Sequence, residues 1–270
     1  MLGRLISEGA VRAPLLEDRP QLGERAGRLR GAALTGFVDL KQADALRASP
    51  PAHIVDAILQ SELQERELLL RPEQIGRCNA GDGMGLVFLA FSLADDSQSF
   101  ETNADIVLML ESFRLFHAGY ACAVALHPAP RPAHARESLR GIGFRPVGTG
   151  DDLWALETDW LNAAPYTPFV ILRRSTPPRL RFSSGEKDLL LHAVLGYSDA
   201  EIAQALHVGV DTVKKRWRRV FERVEGDAEL RRLLGPRKGT HESGRGPEKR
   251  GVIVQYLATH LQELRPYHVE

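Results

Sequence analysis

Two capping signatures close together constrain this chain more than any other feature. Ser183 is followed by Glu186, and Ser198 by Glu201. A hydroxyl and a carboxylate three residues apart satisfy each other's orphan backbone N–H groups at a helix start. Two such starts leave room for one short helix and a turn between them. Leu189, Leu190, Ala193 and Val194 form the apolar stripe of the first helix, and Gly196 ends it. The second helix runs from Asp199 to Leu206, with Ile202, Ala203 and Leu206 facing inward. His207, Val208 and Gly209 make a turn into a third helix. There Val213, Trp217, Val220, Phe221 and Val224 recur at helical spacing, which defines a core stripe.

The third helix has a second face. Lys214, Lys215 and Arg218 fall away from the stripe, with Arg216 and Arg219 flanking them. A short helix, a tight turn and a basic amphipathic helix read as a helix-turn-helix. Duplex DNA is a dense line of negative charge whose major groove admits one helix. Long cationic side chains at i, i+1 and i+4 reach base edges and phosphates together. Ala203 is small, as close crossing of two helices requires.

The segment Phe182–Glu225 resembles the LuxR/GerE-type DNA-binding domain. The residues that carry the resemblance are EIAQAL (Glu201 to Leu206), Val208, TVK (Thr212 to Lys214) and RWRRVF after it. The resemblance covers roughly residues 180–235. It implies that Lys214, Lys215 and Arg218 face bases. It also implies that Thr212, Arg216 and Arg219 touch phosphates, and that the chain acts as a homodimer on double-stranded DNA. The chain departs from the pattern at Gly209, where the family often has Ser, and at Trp217, a Leu-like position. The connection to a fourth helix in EGDAELRRLL is short, and that helix often forms the family's dimer interface.

Charge supports an uneven division of labour. The whole chain holds 35 basic and 35 acidic residues, but 17 basic and 13 acidic ones lie from Arg179 onward. Halves of opposite sign point to a nucleic-acid-binding end and a different task at the other. No apolar run reaches ~18 residues, so no membrane span is expected. The first residues lack the apolar core of a signal peptide, so a cytoplasmic location is expected. Cys78 and Cys122 are too few for a disulfide framework or, alone, a zinc site.

The rest of the chain reads as a layered α/β region behind a hinge. Residues 1 to about 80 read as mostly helical, most clearly His53–Leu70 between Pro51 and Pro72. CNAGDGMG is a turn into the apolar strand Leu86–Leu93. A helix from Asn103 to His117 follows, capped by Asn103 and ended by Gly119; then a strand, Ala121–Leu126, and a short helix, Ala133–Arg140. Further strands are expected at Leu153–Thr158 and Phe169–Arg173. Alternating strands and helices suggest layers. Ala121–Trp160 also resembles the last third of an N-acetyltransferase fold, through its helix, Gly-Phe and strand ending. The glycine-rich loop that would hold a pyrophosphate after Leu86–Leu93 is replaced by DDSQSFETN. A PAS- or GAF-like sensor fits equally.

Other chemistry finds little support. GDGMG precedes a strand, whereas a dinucleotide fingerprint follows one. No P-loop, nucleophile elbow or paired-histidine zinc motif occurs. Asp95 and Asp96 stand at a strand end, but the acidic and basic partners of a phospho-acceptor receiver are not in place. Acyl-homoserine-lactone receptors carry a Tyr/Trp-rich signature ending in Asp-Pro, whereas this chain has no tryptophan before Trp154 and no Asp-Pro pair. The histidines read as surface or loop residues.

The expectation is therefore an α/β N-terminal sensor-like domain plus an all-α C-terminal helix-turn-helix domain. The segments are 1–174, a hinge at 175–181, the helix-turn-helix at 182–235, a flexible linker at 236–250 and an amphipathic helix at 251–270. Ile253, Tyr256, Leu257, Leu261 and Leu264 stripe that last helix, which is expected to dimerise or to dock within its own chain. Docking against the third helix would be autoinhibitory. The expected function is sequence-specific DNA binding with regulation by the first domain, through an unknown small-molecule effector or through assembly. No catalysis, cofactor, metal or membrane partner is expected. The alternatives are an acetyltransferase-like enzyme with an appended helical domain and a protein-interaction module.

Overall fold

A computed structural model describes residues 1–18, 27–94, 104–131, 133–148, 152–158, 168–172, 176–233 and 245–268. The chain divides into two compact units, one of Met1–Ser175 with Pro266–Glu270, the other of Thr176–Arg265.

The first unit is a mixed α/β sheet region. Its elements are α1 (Leu2–Ser7), β1 (Val11–Arg12), β2 (Leu15–Glu17), β3 (Leu29–Val38), α2 (Leu40–Ala48), α3 (Ile54–Leu63) and α4 (Pro72–Ala80). After these come β4 (Met84–Leu93), α5 (Ala104–His117), β5 (Cys122–Pro128), α6 (Ala133–Gly141), β6 (Arg145–Pro146) and β7 (Leu153–Glu157). The seven strands run in the order β1-β3-β4-β5-β7-β6, with β2 also on β3. All pairs are antiparallel except β4 with β5. A parallel pair needs a crossover, and α5 lies within it.

β4 is apolar on both faces because both faces are covered. Met84, Leu86 and Phe88 enter one cluster with Phe37, Phe113, Phe144 and Trp154. Val87 and Leu89 enter the other with Leu5, Ile54, Ile58 and Leu126. The turn expected over CNAGDGMG is shorter than that, because Cys78–Ala80 end α4 and Met84 already opens β4, which leaves Gly81–Gly83 between them. Gly83 there has φ +99°, and a Cβ on it would lie 2.5 Å from the Ala121 carbonyl oxygen.

Several expectations for this unit are corrected. The first 80 residues are not mostly helical, because Leu29–Val38 forms the ten-residue strand β3 between β1 and β4. Its Gly31 and Gly36 let Leu93, Met109 and Leu69 approach the backbone. The helix expected over His53–Leu70 stops at Leu63. Glu65 and Glu67 then take positive φ, Leu69 and Leu70 turn into the cores, and Pro72 opens α4 rather than closing α3. The strand expected at Phe169–Arg173 is a 3-10 helix, Pro168–Leu172, which buries Phe169 and Leu172 three residues apart. His117 is neither surface nor loop. It is fully buried, its Nδ1–H donates to the Phe113 carbonyl at 2.8 Å, and Nε2 lies 2.7 Å from Thr35 Oγ1. Asn103, the expected cap of α5, lies outside the described residues.

The described elements of the second unit are helices: α7 (Ser184–Val194), α8 (Asp199–Ala205), α9 (Val210–Gly226), α10 (Ala228–Leu233), α11 (Arg245–Thr259) and a 3-10 turn, Leu261–Leu264. α11 begins inside the segment expected to be a linker, which corrects that boundary. Lys249 and Arg250, at its start, bond Glu225 and Asp199. The expected hinge is tied down at its end, with Leu180 and Phe182 buried.

Candidate nucleic-acid interface

Both capping signatures form. The Ser183 backbone N–H donates to Glu186 Oε2 at 2.7 Å, and that of Ser198 to Glu201 Oε2 at 2.7 Å. Hydrogen bonds from Ser198 hold the Glu201 carboxyl below its ordinary range. Between the two helices Gly196 takes φ +86°. The turn after α8 closes through the Val208 N–H on the Ala203 carbonyl at 2.9 Å, with His207 at φ 50°. Ala203 is buried, and α8 packs against α9.

α9 sorts its side chains as its periodicity requires. Val213, Trp217, Val220 and Val224 are buried, while Phe221 is half-buried. Of the expected contact residues, Thr212, Lys214, Lys215, Arg218 and Arg219 are exposed. The Lys214 ammonium lies 3.7 Å from Asp211, with both side chains mostly in solvent, so that pair is weak and easily displaced. Arg216 is the exception. It stands three residues after Val213 and four before Val220, on the shoulder of the core stripe, and is half-buried. Its guanidinium lies over α7, where a Cβ on Gly185 would come within 3.3 Å of Cζ. Its Nη1 is buried without an acceptor among the described residues.

Further charged groups, not singled out in the sequence, support this arrangement from behind. Arg223 Nη2 lies 3.3 Å from the buried carboxylate of Glu186. Arg179 bridges Asp227 and Glu229 at the start of α10. Hydrogen bonds from the Leu230 N–H, above all, hold Asp227 below the ordinary carboxylate range. The helical spacing of Arg219 and Arg223 was a legible signal, but the partner of the latter lies on another helix.

α11 leaves the exposed cations of α9 open. It packs on α7, as does the 3-10 turn after it, and Ile253, Leu257, Leu261 and Leu264 are buried. Tyr256 is half-buried.

Among the described residues, no cluster of His, Cys, Asp and Glu is arranged to hold a metal ion. No described helix is long and apolar enough to cross a membrane. The segment where a pyrophosphate-binding loop would stand, 95–103, lies outside the described residues. The chain matches no known protein family and no curated protein sequence.

Proposed function

We propose that this chain is a sequence-specific DNA-binding transcription regulator whose second unit is an all-α, LuxR-type helix-turn-helix domain. The observation that carries this reading is the open cationic side of α9. Thr212, Lys214, Lys215, Arg218 and Arg219 are exposed on it, while α7 and α8 cover the opposite stripe. α9 has 17 residues, which is about 25 Å of rod. The major groove is about 12 Å wide and admits such a rod. In this reading Lys214, Lys215 and Arg218 read base edges, Thr212 and Arg219 hold phosphates, and Arg216 contributes charge from the α7 side. The protein acts as a cytoplasmic homodimer on half-sites about one helical turn apart. The α/β unit senses a small-molecule effector or mediates assembly, and performs no catalysis.

The test is selection of duplex fragments by the purified full chain. Enrichment of one motif, with affinity falling steeply as salt rises, is the expected result. Lys214→Ala and Arg218→Ala should each weaken the selected site about tenfold, the size of one lost base contact, without altering the unfolding transition. Absence of salt-sensitive duplex binding, or unchanged footprints in both variants, overturns the assignment.

A further inference from the structure

Three segments of the second unit that are far apart in sequence meet at one carboxylate. Asp199 is the first residue of α8. Its Oδ1 accepts the Trp217 indole N–H at 3.1 Å. From α11, Arg250 Nη1 lies 2.9 Å from both Asp199 oxygens. The same guanidinium stacks on the indole, its carbon 5.0 Å from the ring centre. One residue earlier, Lys249 Nζ donates to Glu225 near the end of α9, at 2.8 Å.

Each part of this cluster needs the others. Trp217 is only 3% exposed, and a buried indole N–H needs an acceptor. Asp199 supplies it, but an ionised carboxylate drawn against an indole favours a nearby cation over isolation. Arg250 is that cation, and it also covers the ring face. Without Arg250 the carboxylate gains by turning to water, and the indole N–H loses its partner. Trp217 sits between Lys214 and Arg218 on α9, so a change in its seat changes where those cations point. Base contacts are short and directional, whereas phosphate attraction is long-ranged and tolerant. A tilt of α9 therefore weakens base reading before it weakens non-specific binding.

We propose that Arg250 is a positioning residue for base reading, so that α11 is a brace of the DNA-reading unit and not a tail. The proposal rests on the DNA-binding reading above. Its test uses the full chain with Arg250→Ala, Arg250→Lys and Trp217→Phe. Trp217→Phe identifies the Trp217 indole signal in a proton–nitrogen correlation spectrum. In Arg250→Ala that signal should shift and its proton should exchange faster with solvent. Affinity for the selected duplex should fall about tenfold while affinity for a random duplex stays within about twofold. Arg250→Lys, which keeps the charge, should recover part of the loss. An unmoved indole signal overturns the brace, as does an equal loss on both duplexes. If the wild-type chain prefers no duplex, the DNA reading fails by itself. The indole signal alone then upholds or overturns the brace.

Discussion

Glu263→Gln isolates what ties the 3-10 turn after α11 into the second unit. Glu263 lies in the 3-10 turn after α11 and is 1% exposed. Its Oε1 accepts the Arg179 N–H at 2.9 Å, and its Oε2 accepts the Leu180 N–H at 2.8 Å. The Tyr256 hydroxyl donates to Oε1 at 3.3 Å. Burial first, and the Glu263 charge second, push the Tyr256 phenol up to about 12. The carboxylate thus holds the two backbone donors that enter the unit. Glutamine has nearly the same shape, but one of its two terminal groups is a donor. It keeps one backbone N–H and faces the other with an N–H of its own.

The lost bond is charge-assisted and leaves a buried donor unmatched, a loss of about 1.5–3 kcal/mol. The bond that survives becomes neutral, which adds about 1 kcal/mol. A total of about 2.5–4 kcal/mol is expected. For a unit of this size each kcal/mol moves the midpoint by about 4–8 °C, so even the lower figure lowers it by roughly 10–20 °C. Thermal unfolding of the full chain measures the midpoint. Hydrogen exchange read at α7, α11 and β4 shows where the change lies, and the first two should lose protection. A Glu263→Gln chain within about 0.5 kcal/mol of wild type would show that the two N–H groups find other acceptors, and the reasoning would fail.

Three further outcomes concern the sheet unit. Gly83→Ala puts a Cβ against the Ala121 carbonyl at a positive φ, and should destabilise by about 2–3 kcal/mol in urea titration; a change below about 0.5 kcal/mol refutes the close approach. Burial, opposed by the Pro128 carbonyl, lowers the pKa of His127, whose ring centre lies 5.0 Å from that of Phe88 and 5.9 Å from that of Phe144. The unfolded chain therefore binds the proton first, so this stabilisation is complete above about 6.5 and declines as pH falls toward the lowered folded value. His127→Phe should flatten the decline between about pH 7 and 5. Burial pushes the Cys122 thiol up to about 12 and the Cys78 thiol up by less, so a disulfide reagent should label Cys78 slowly and Cys122 only on unfolding.

What could be read in the sequence followed the distance over which each signal acts. The helices of the second unit announce themselves through Ser183–Glu186, Ser198–Glu201 and the stripe from Val213 to Val224, all contacts within a few residues. β3 does not. LRGAALTGFV is rich in small residues with little intrinsic strand preference, and it is a strand because β1, β2 and β4 pair with it. Leu68–Leu70 extended a helical pattern that Glu65 and Glu67 break by taking positive φ. The 3-10 turn at Phe169 follows from burying two side chains three residues apart.

The same distance rule separates the face of α9 from its support. Which of its side chains are exposed follows from a 3.6-residue repeat, and only Arg216 on the shoulder needed three dimensions to place. Where α9 points depends on Asp199, 18 residues before Trp217, and on Arg250, 51 residues after Asp199. A leucine at position 217 would need no hydrogen-bond acceptor. An indole there does need one, and the acceptor in turn calls for a cation. Trp217 in the middle of α9 and Arg250 on α11 are thus two sides of a single packing solution. A chain with leucine at position 217 would have no use for Arg250, which is why Trp217→Leu combined with Arg250→Ala should disturb the unit less than the two changes made separately add up to.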